Sequence, residues 1–155
     1  MLFRSCWLYE CDADTPRVKT GTFMSHEEAV IQLRSLYIPN PDMEYLLKLL
    51  SSVSQESKVS SNDNGVSQTV EARTGVALTT NVEVRPYVNL QPFRTFLEVP
   101  QPESMFLLRL DNDGKVALIE ADGGVWKLEA TRNIAGYFED KLAELIGSGR
   151  VVVLR

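Results

Sequence analysis

The amino-acid sequence predicts an α+β protein: a mainly antiparallel β-sheet with a C-terminal covering helix, preceded by an N-terminal β-β-α-α segment. Three observations carry this expectation. Apolar side chains recur at helical spacing in residues 29–37, 43–50 and 134–146. Between residues 70 and 129 they alternate instead, interrupted by Asp113-Gly114 and Asp122-Gly123-Gly124, both hairpin turn signals. A polar stretch rich in Ser and Asn separates the two regimes, which divides the chain into 1–54, a linker or loop at 55–69, and a β-rich 70–155.

Taken in order, Phe3–Glu10 reads as a strand, Cys11–Pro16 as a turn, and Arg17–Met24 as a second strand pairing back on the first. Ser25-His26-Glu27-Glu28 opens a helix with a capping box: the Ser25 hydroxyl can accept from the third helical amide while Glu28 reaches back. Ala29, Val30, Leu33, Leu36 and Tyr37 form its apolar stripe. Pro39 and Pro41 end it, and Pro41 suits the first turn of a second helix carrying Met43, Leu46, Leu47 and Leu50 to about Ser52.

From Val70 the chain divides into four hexads beginning Val70, Val76, Val82 and Val88. Their apolar residues share one parity, so one face of an extended chain is apolar throughout. Two readings stay open. One is two or three half-buried strands with turns near Thr74-Gly75, Thr80-Asn81 and Pro86; the other is an arm that completes its sheet against further copies of the chain. Phe93–Val99 is expected as a further strand, followed by a meander of Met105–Leu110, Lys115–Glu120 and Val125–Glu129. A helix over Thr131–Ile146, stopped by Gly147, and a last strand Arg150–Leu154 covered on both faces complete the expected order.

Composition narrows the function classes. The chain has 155 residues, 44% hydrophobic and 24% charged, which is ordinary for a domain with its own core. No apolar run approaches the roughly 20 residues of a membrane-spanning helix, and the first residues do not resemble a secretory signal. The net charge of −5 is spread along the chain, so nucleic-acid binding stays open but is not favoured. Cys6 and Cys11 do not form a C-x-x-C motif, and His26 is the sole histidine, so no zinc site or paired-histidine chemistry is expected and no cofactor is assigned.

The chemically suggestive stretches are few. Asp111-Asn112-Asp113-Gly114-Lys115 has the opening of a calcium loop without its later ligands and is read as a hairpin turn. Glu120 and Asp122, two residues apart on a strand, share a face and sit beside flexible backbone; acid–base work would require them to converge in a pocket. Trp126 is expected on a strand, more as core than as a binding platform. Arg94, Glu98 and Glu103 flank a proline-rich corner that suits an interaction surface. With Arg85 these make the candidate binding residues: Arg85, Arg94, Glu98, Glu103, Glu120, Asp122 and Trp126, none assigned a catalytic or metal role.

Several stretches also carry a resemblance: Arg85-Pro86-Tyr87, Leu90–Phe96, Glu98–Ser104 and Ala117–Leu128. Over roughly residues 68–155 they resemble a group of small uncharacterised proteins of bacteriophages and prophages. The resemblance implies a phage or prophage context, in the bacterial cytoplasm or as a minor virion part, and transfers no functional residue.

The reading placed first is therefore a non-enzymatic interaction protein that self-associates through residues 66–93 and recognises a protein partner such as a host or defence factor. Behind it stands a binder of a small anionic ligand, nucleotide or nucleic acid using Arg73, Arg85, Arg94 and Arg109. A carboxylate-based hydrolase using Glu120 and Asp122 comes last.

Overall fold

A computed structural model describes residues 12–54, 58–63, 68–73, 79–111 and 113–154, with side chains described outside 53–54, 58–63, 68–73 and 79–83. The expected strand Phe3–Glu10, both cysteines and Trp7 lie outside the described residues.

The architecture is α+β, with a curled antiparallel sheet. Helix α1 (His26–Leu36) starts where the sequence places it: Ser25 Oγ accepts from Glu28 N at 3.2 Å, and Glu28 Oε2 accepts from Ser25 N at 2.9 Å. A two-residue strand β1 (Tyr37–Ile38) follows, then helix α2 (Pro41–Ser54), begun by Asn40, whose Oδ1 accepts from Met43 N. Strands β2 (Lys58–Asp63), β3 (Gln68–Arg73) and β4 (Thr79–Val84) form one antiparallel sheet in sequence order. A second sheet has the order β1, β5 (Tyr87–Pro92), β6 (Ser104–Leu110), β7 (Val116–Glu120). Helix α3 (Trp126–Lys141) and the short helix α4 (Ala143–Gly147) end the order of elements.

Alternation along β5 and β6 turns Val88, Leu90, Phe106, Leu108 and Leu110 to one face, where α1 and α2 cover them with Ala29, Leu33, Met43, Leu46, Leu49 and Leu50. One core thus joins residues 24–50 to 84–118. The helices are also pinned by polar bonds: Asn40 Nδ2 donates to Asn89 O, and Asp42 Oδ2 accepts from Asn89 N. Both β5 backbone groups at Asn89 are thereby satisfied by the start of α2 rather than by a strand.

Several expected elements differ. Within the stretch read as a linker, Lys58–Asp63 is a strand paired residue for residue with Gln68–Arg73. A backbone ladder needs no apolar side chains, so a polar composition does not forbid it. Thr80-Asn81, expected as a turn, lies inside β4, whereas the bend at Pro86 is where it was expected. Arg17–Met24 is not a strand: it runs beside β7 with one bridge, Met24 to Val116, and a bond from Gly21 N to Leu118 O. The amide side chain of Gln32 stands in for a neighbouring strand, accepting from Lys19 N at 2.7 Å and donating to Lys19 O at 3.0 Å.

Phe93–Val99 leaves the sheet, because after Phe93 N donates to Leu36 O no ladder partner follows. Val125–Glu129 is not the third strand of a meander. Gly123 and Gly124 take φ of 64° and 83°, a left-handed pair that turns the chain out of the sheet, and α3 begins at Trp126. The expected Thr131–Ile146 helix therefore starts five residues earlier and breaks at Leu142. Arg150–Leu154 is not a covered strand either. Gly149 turns the chain back so that Val151 N bonds to Leu145 O, and Val152 and Leu154 stand in solvent.

Candidate functional site

Four of the seven residues singled out from sequence meet at one place. The loop after β5 carries Arg94, the end of β7 carries Glu120, the turn beyond it carries Asp122, and the first residue of α3 is Trp126. Arg94 Nη2 donates to Glu120 Oε1 at 2.6 Å, and Nη1 donates to Ser104 Oγ at 2.8 Å. The guanidinium carbon lies 4.3 Å from the centre of the Trp126 ring and 5.5 Å from that of Phe106. Only 8% of the Arg94 side chain is exposed, while Glu120 is partly exposed. A planar cation suits such a slot, since it stacks on aromatic faces while its in-plane N–H groups bond outward.

Charge states follow from this packing. Burial pulls Arg94 below its ordinary value, and the carboxylates of Glu120 and Asp122 work against that. The guanidinium still stays protonated. For Asp122, burial works to raise the pKa, but the N–H of Gly124, the neighbouring Ser104 hydroxyl and Trp126 amide, and the charge of Arg94 outweigh it, leaving a net lowering. Asp122 Oδ1 accepts from Gly124 N at 2.9 Å, an Asx-type turn that leads the chain into α3. Its Oδ2, the Trp126 Nε1 and the Tyr37 hydroxyl are closed off from solvent with no partner in hydrogen-bond geometry. Burial holds the Tyr37 phenol well above its usual range, and Arg94 opposes this in part.

The loop Phe93–Val99 is held from within by Gln101, itself buried. Gln101 Oε1 accepts from Arg94 N and Thr95 N, and its Nε2 donates to Phe96 O and Val99 O. One amide side chain thus satisfies backbone groups that a strand partner would otherwise take. Asn133 of α3 adds a bond to Pro100 O. The result is an irregular but fixed loop that presents Leu97, 77% exposed, at its tip. Beside it lies a hollow of about 230 Å³ lined by residues including Pro16, Phe93, Phe96 and Leu97, with Asp14 and Glu98 at its edge. A second hollow of about 200 Å³ shares Thr15, Pro16 and Phe93 with the first and reaches Arg94, Glu120 and Trp126.

The remaining sequence candidates lie apart. Arg85 pairs with Asp42 at 3.6 Å and stacks on Tyr45 at 4.7 Å, on the α2 side. Strand β5 stands between Arg85 and Arg94, and its six residues span roughly 17 Å at about 3.3 Å each. Glu103 is exposed beyond Pro102, and the Arg73 side chain lies outside the described residues. Asp111 to Lys115 closes the hairpin between β6 and β7, with Asp111 Oδ1 accepting from Asp113 N and Lys115 N. Among the described residues, no three His, Cys, Asp or Glu side chains group as a metal site. Likewise, no helix among the described residues is long and apolar enough to cross a membrane.

Sequence reasoning missed Gln101, Ser104, Phe93 and Leu97. A signal existed in the prolines: Pro92, Pro100 and Pro102 bracket residues 93–99 and argue against a strand with partners on both sides. No protein-family model, curated protein or solved structure matches this chain.

Proposed function

We propose that this protein is a non-enzymatic interaction protein that recognises a protein partner at the hollow between residues 13–16 and 93–98. The supporting observation is the Phe93–Val99 loop: fixed by Gln101, it holds an exposed Leu97 beside Phe93 and Phe96. A rigid loop with apolar anchors loses little conformational freedom on binding, which favours recognition. Asp14 and Glu98 at the rim suit a partner that pairs an apolar side chain with Lys or Arg. A phage or prophage setting, with a host or defence factor as partner, belongs to the same reading and rests on the sequence resemblance.

The arginine-lined anion site has less support, because Arg94 is already stacked and ion-paired and Arg85 faces elsewhere. Glu120 is engaged as the counter-ion of Arg94, which leaves little for hydrolytic chemistry. The test is selection from a displayed random peptide library. Peptides joining an apolar residue to a basic one should be enriched on the wild-type chain and lost on Leu97→Asp and Glu98→Lys. Enrichment that ignores both substitutions, or no enrichment at all, would refute the reading.

A further inference from the structure

The two hollows beside Pro16 are each the size of a side chain rather than of a ligand. The first, of about 230 Å³, lies against Phe93, Phe96 and Leu97; the second, of about 200 Å³, lies against Phe93, Thr20 and Trp126. Small-molecule pockets usually hold about 300–1,000 Å³. Thr15, Pro16 and Phe93 line both hollows, so the two adjoin. Their charge is one-sided. Asp14 and Glu98 line the first hollow, are exposed, and have no ion pair with a described residue. In the second, Arg94 and Glu120 already neutralise each other at 2.6 Å. The backbone of the loop is occupied at residues 94, 95, 96 and 99, where Gln101 accepts from Arg94 N and Thr95 N and donates to Phe96 O and Val99 O.

We infer that the partner presents a proline-rich segment in the polyproline II conformation, with a Lys or Arg beside the residue that enters the first hollow. The inference rests on the partner site proposed above and names what fills it. Two adjoining hollows take two side chains from one face of a segment, and residues i and i+3 of a polyproline II helix stand on one face roughly 9 Å apart. The walls include Phe93, Phe96, Trp126 and Pro16, and aromatic-lined grooves are where such segments dock. A strand added to the loop would need backbone groups that Gln101 already holds, whereas a proline-rich segment has few N–H groups to leave stranded on burial. An amphipathic helix would need one continuous groove, and this surface is split into two small hollows. Charge sets the direction, because the unpaired Asp14 and Glu98 place the partner's cation at the first hollow.

Isothermal titration calorimetry on the full chain tests this with two synthetic peptides. One has prolines at positions i and i+3 and a lysine beside the first proline; the other has alanine at both proline positions. The proline peptide should bind at least about 10-fold more tightly, because proline removes conformational freedom that the alanine peptide must lose on binding. Leu97→Asp at the first hollow and Thr20→Phe, which fills the second, should each weaken the proline peptide at least about 10-fold. Neither residue belongs to the core, so the far-UV circular dichroism of both variants should match the wild type. Equal affinity for the two peptides would overturn the inference and leave the partner site standing, and so would a proline peptide that ignores Thr20→Phe. Binding of neither peptide at about 1 mM would overturn it too. The partner site would survive that result if the displayed library still enriched apolar and basic peptides without proline.

Discussion

Replacing Arg94 by alanine tests whether the cluster around it holds the fold or serves a ligand. The side chain is 92% buried, bonds Ser104 and Glu120, and fills the space between Phe106 and Trp126. Breaking a fully buried ion pair costs about 3–5 kcal/mol, because the abandoned charge keeps its desolvation penalty. Glu120 is partly exposed and can regain water, so roughly half of that applies here, 2 kcal/mol. Loss of the stack on Trp126 adds about 1 kcal/mol. The expected total of about 3 kcal/mol corresponds to a fall in Tm of roughly 6–12 °C for a chain of this size. Urea unfolding followed by circular dichroism reads the free energy directly, provided the slope m is unchanged. Arg94→Lys should lie between, since it keeps the charge but loses the planar fork. An alanine variant within about 0.5 kcal/mol of wild type would refute the stapling role. If it also abolished peptide binding, Arg94 would have to be reassigned to the partner surface.

Two further predictions concern the local anchors. Ser25→Ala should destabilise the protein by about 1 kcal/mol through loss of the α1 cap. Glu28 has its pKa lowered, first by the Ser25 backbone N–H, then by the Ser25 hydroxyl and Lys19. A lowered carboxylate stabilises the fold above its unfolded pKa, and that contribution is lost as pH falls through the folded value. The difference between wild type and variant in urea titrations should therefore shrink as pH falls through the lowered pKa of Glu28; a gap that widens there would contradict the cap. Gln101→Ala strands the N–H groups of Arg94 and Thr95, at about 1–3 kcal/mol if they stay buried. Hydrogen exchange should then quicken at residues 94–99 and leave α1 unaffected; uniform quickening would mean that Gln101 supports the whole core.

Elements whose pattern and punctuation agree were legible in the sequence. Helix α1 has a capping box, a stripe and a following proline, and it sits where those signals place it. Strands β6 and β7 are joined by Asp113-Gly114, with Gly114 at φ 72°, and here turn chemistry and alternation point the same way. Where a side chain replaces a strand neighbour, sequence pattern gives no warning. Gln32 bonds Lys19 across thirteen residues, and Gln101 bonds a loop of its own. A polar side chain that satisfies backbone groups looks, in sequence, like any other solvated amide.

The candidate site became visible through an error of the same kind. Asp122-Gly123-Gly124 reads as a hairpin turn, and on that reading Trp126 would return along the sheet beside Glu120. Two glycines in the left-handed region and the Asp122 carboxylate on Gly124 N turn the chain out instead. Leu128, Glu129 and Ala130 then favour helix over strand by intrinsic propensity. The change swings Trp126 from a strand position onto the guanidinium of Arg94. One turn therefore decides whether Arg94 is a free surface cation or is buried against Trp126 and paired with Glu120. The proposed preference for a protein partner over an anion therefore rests on the positive φ of Gly123 and Gly124, which composition does not reveal.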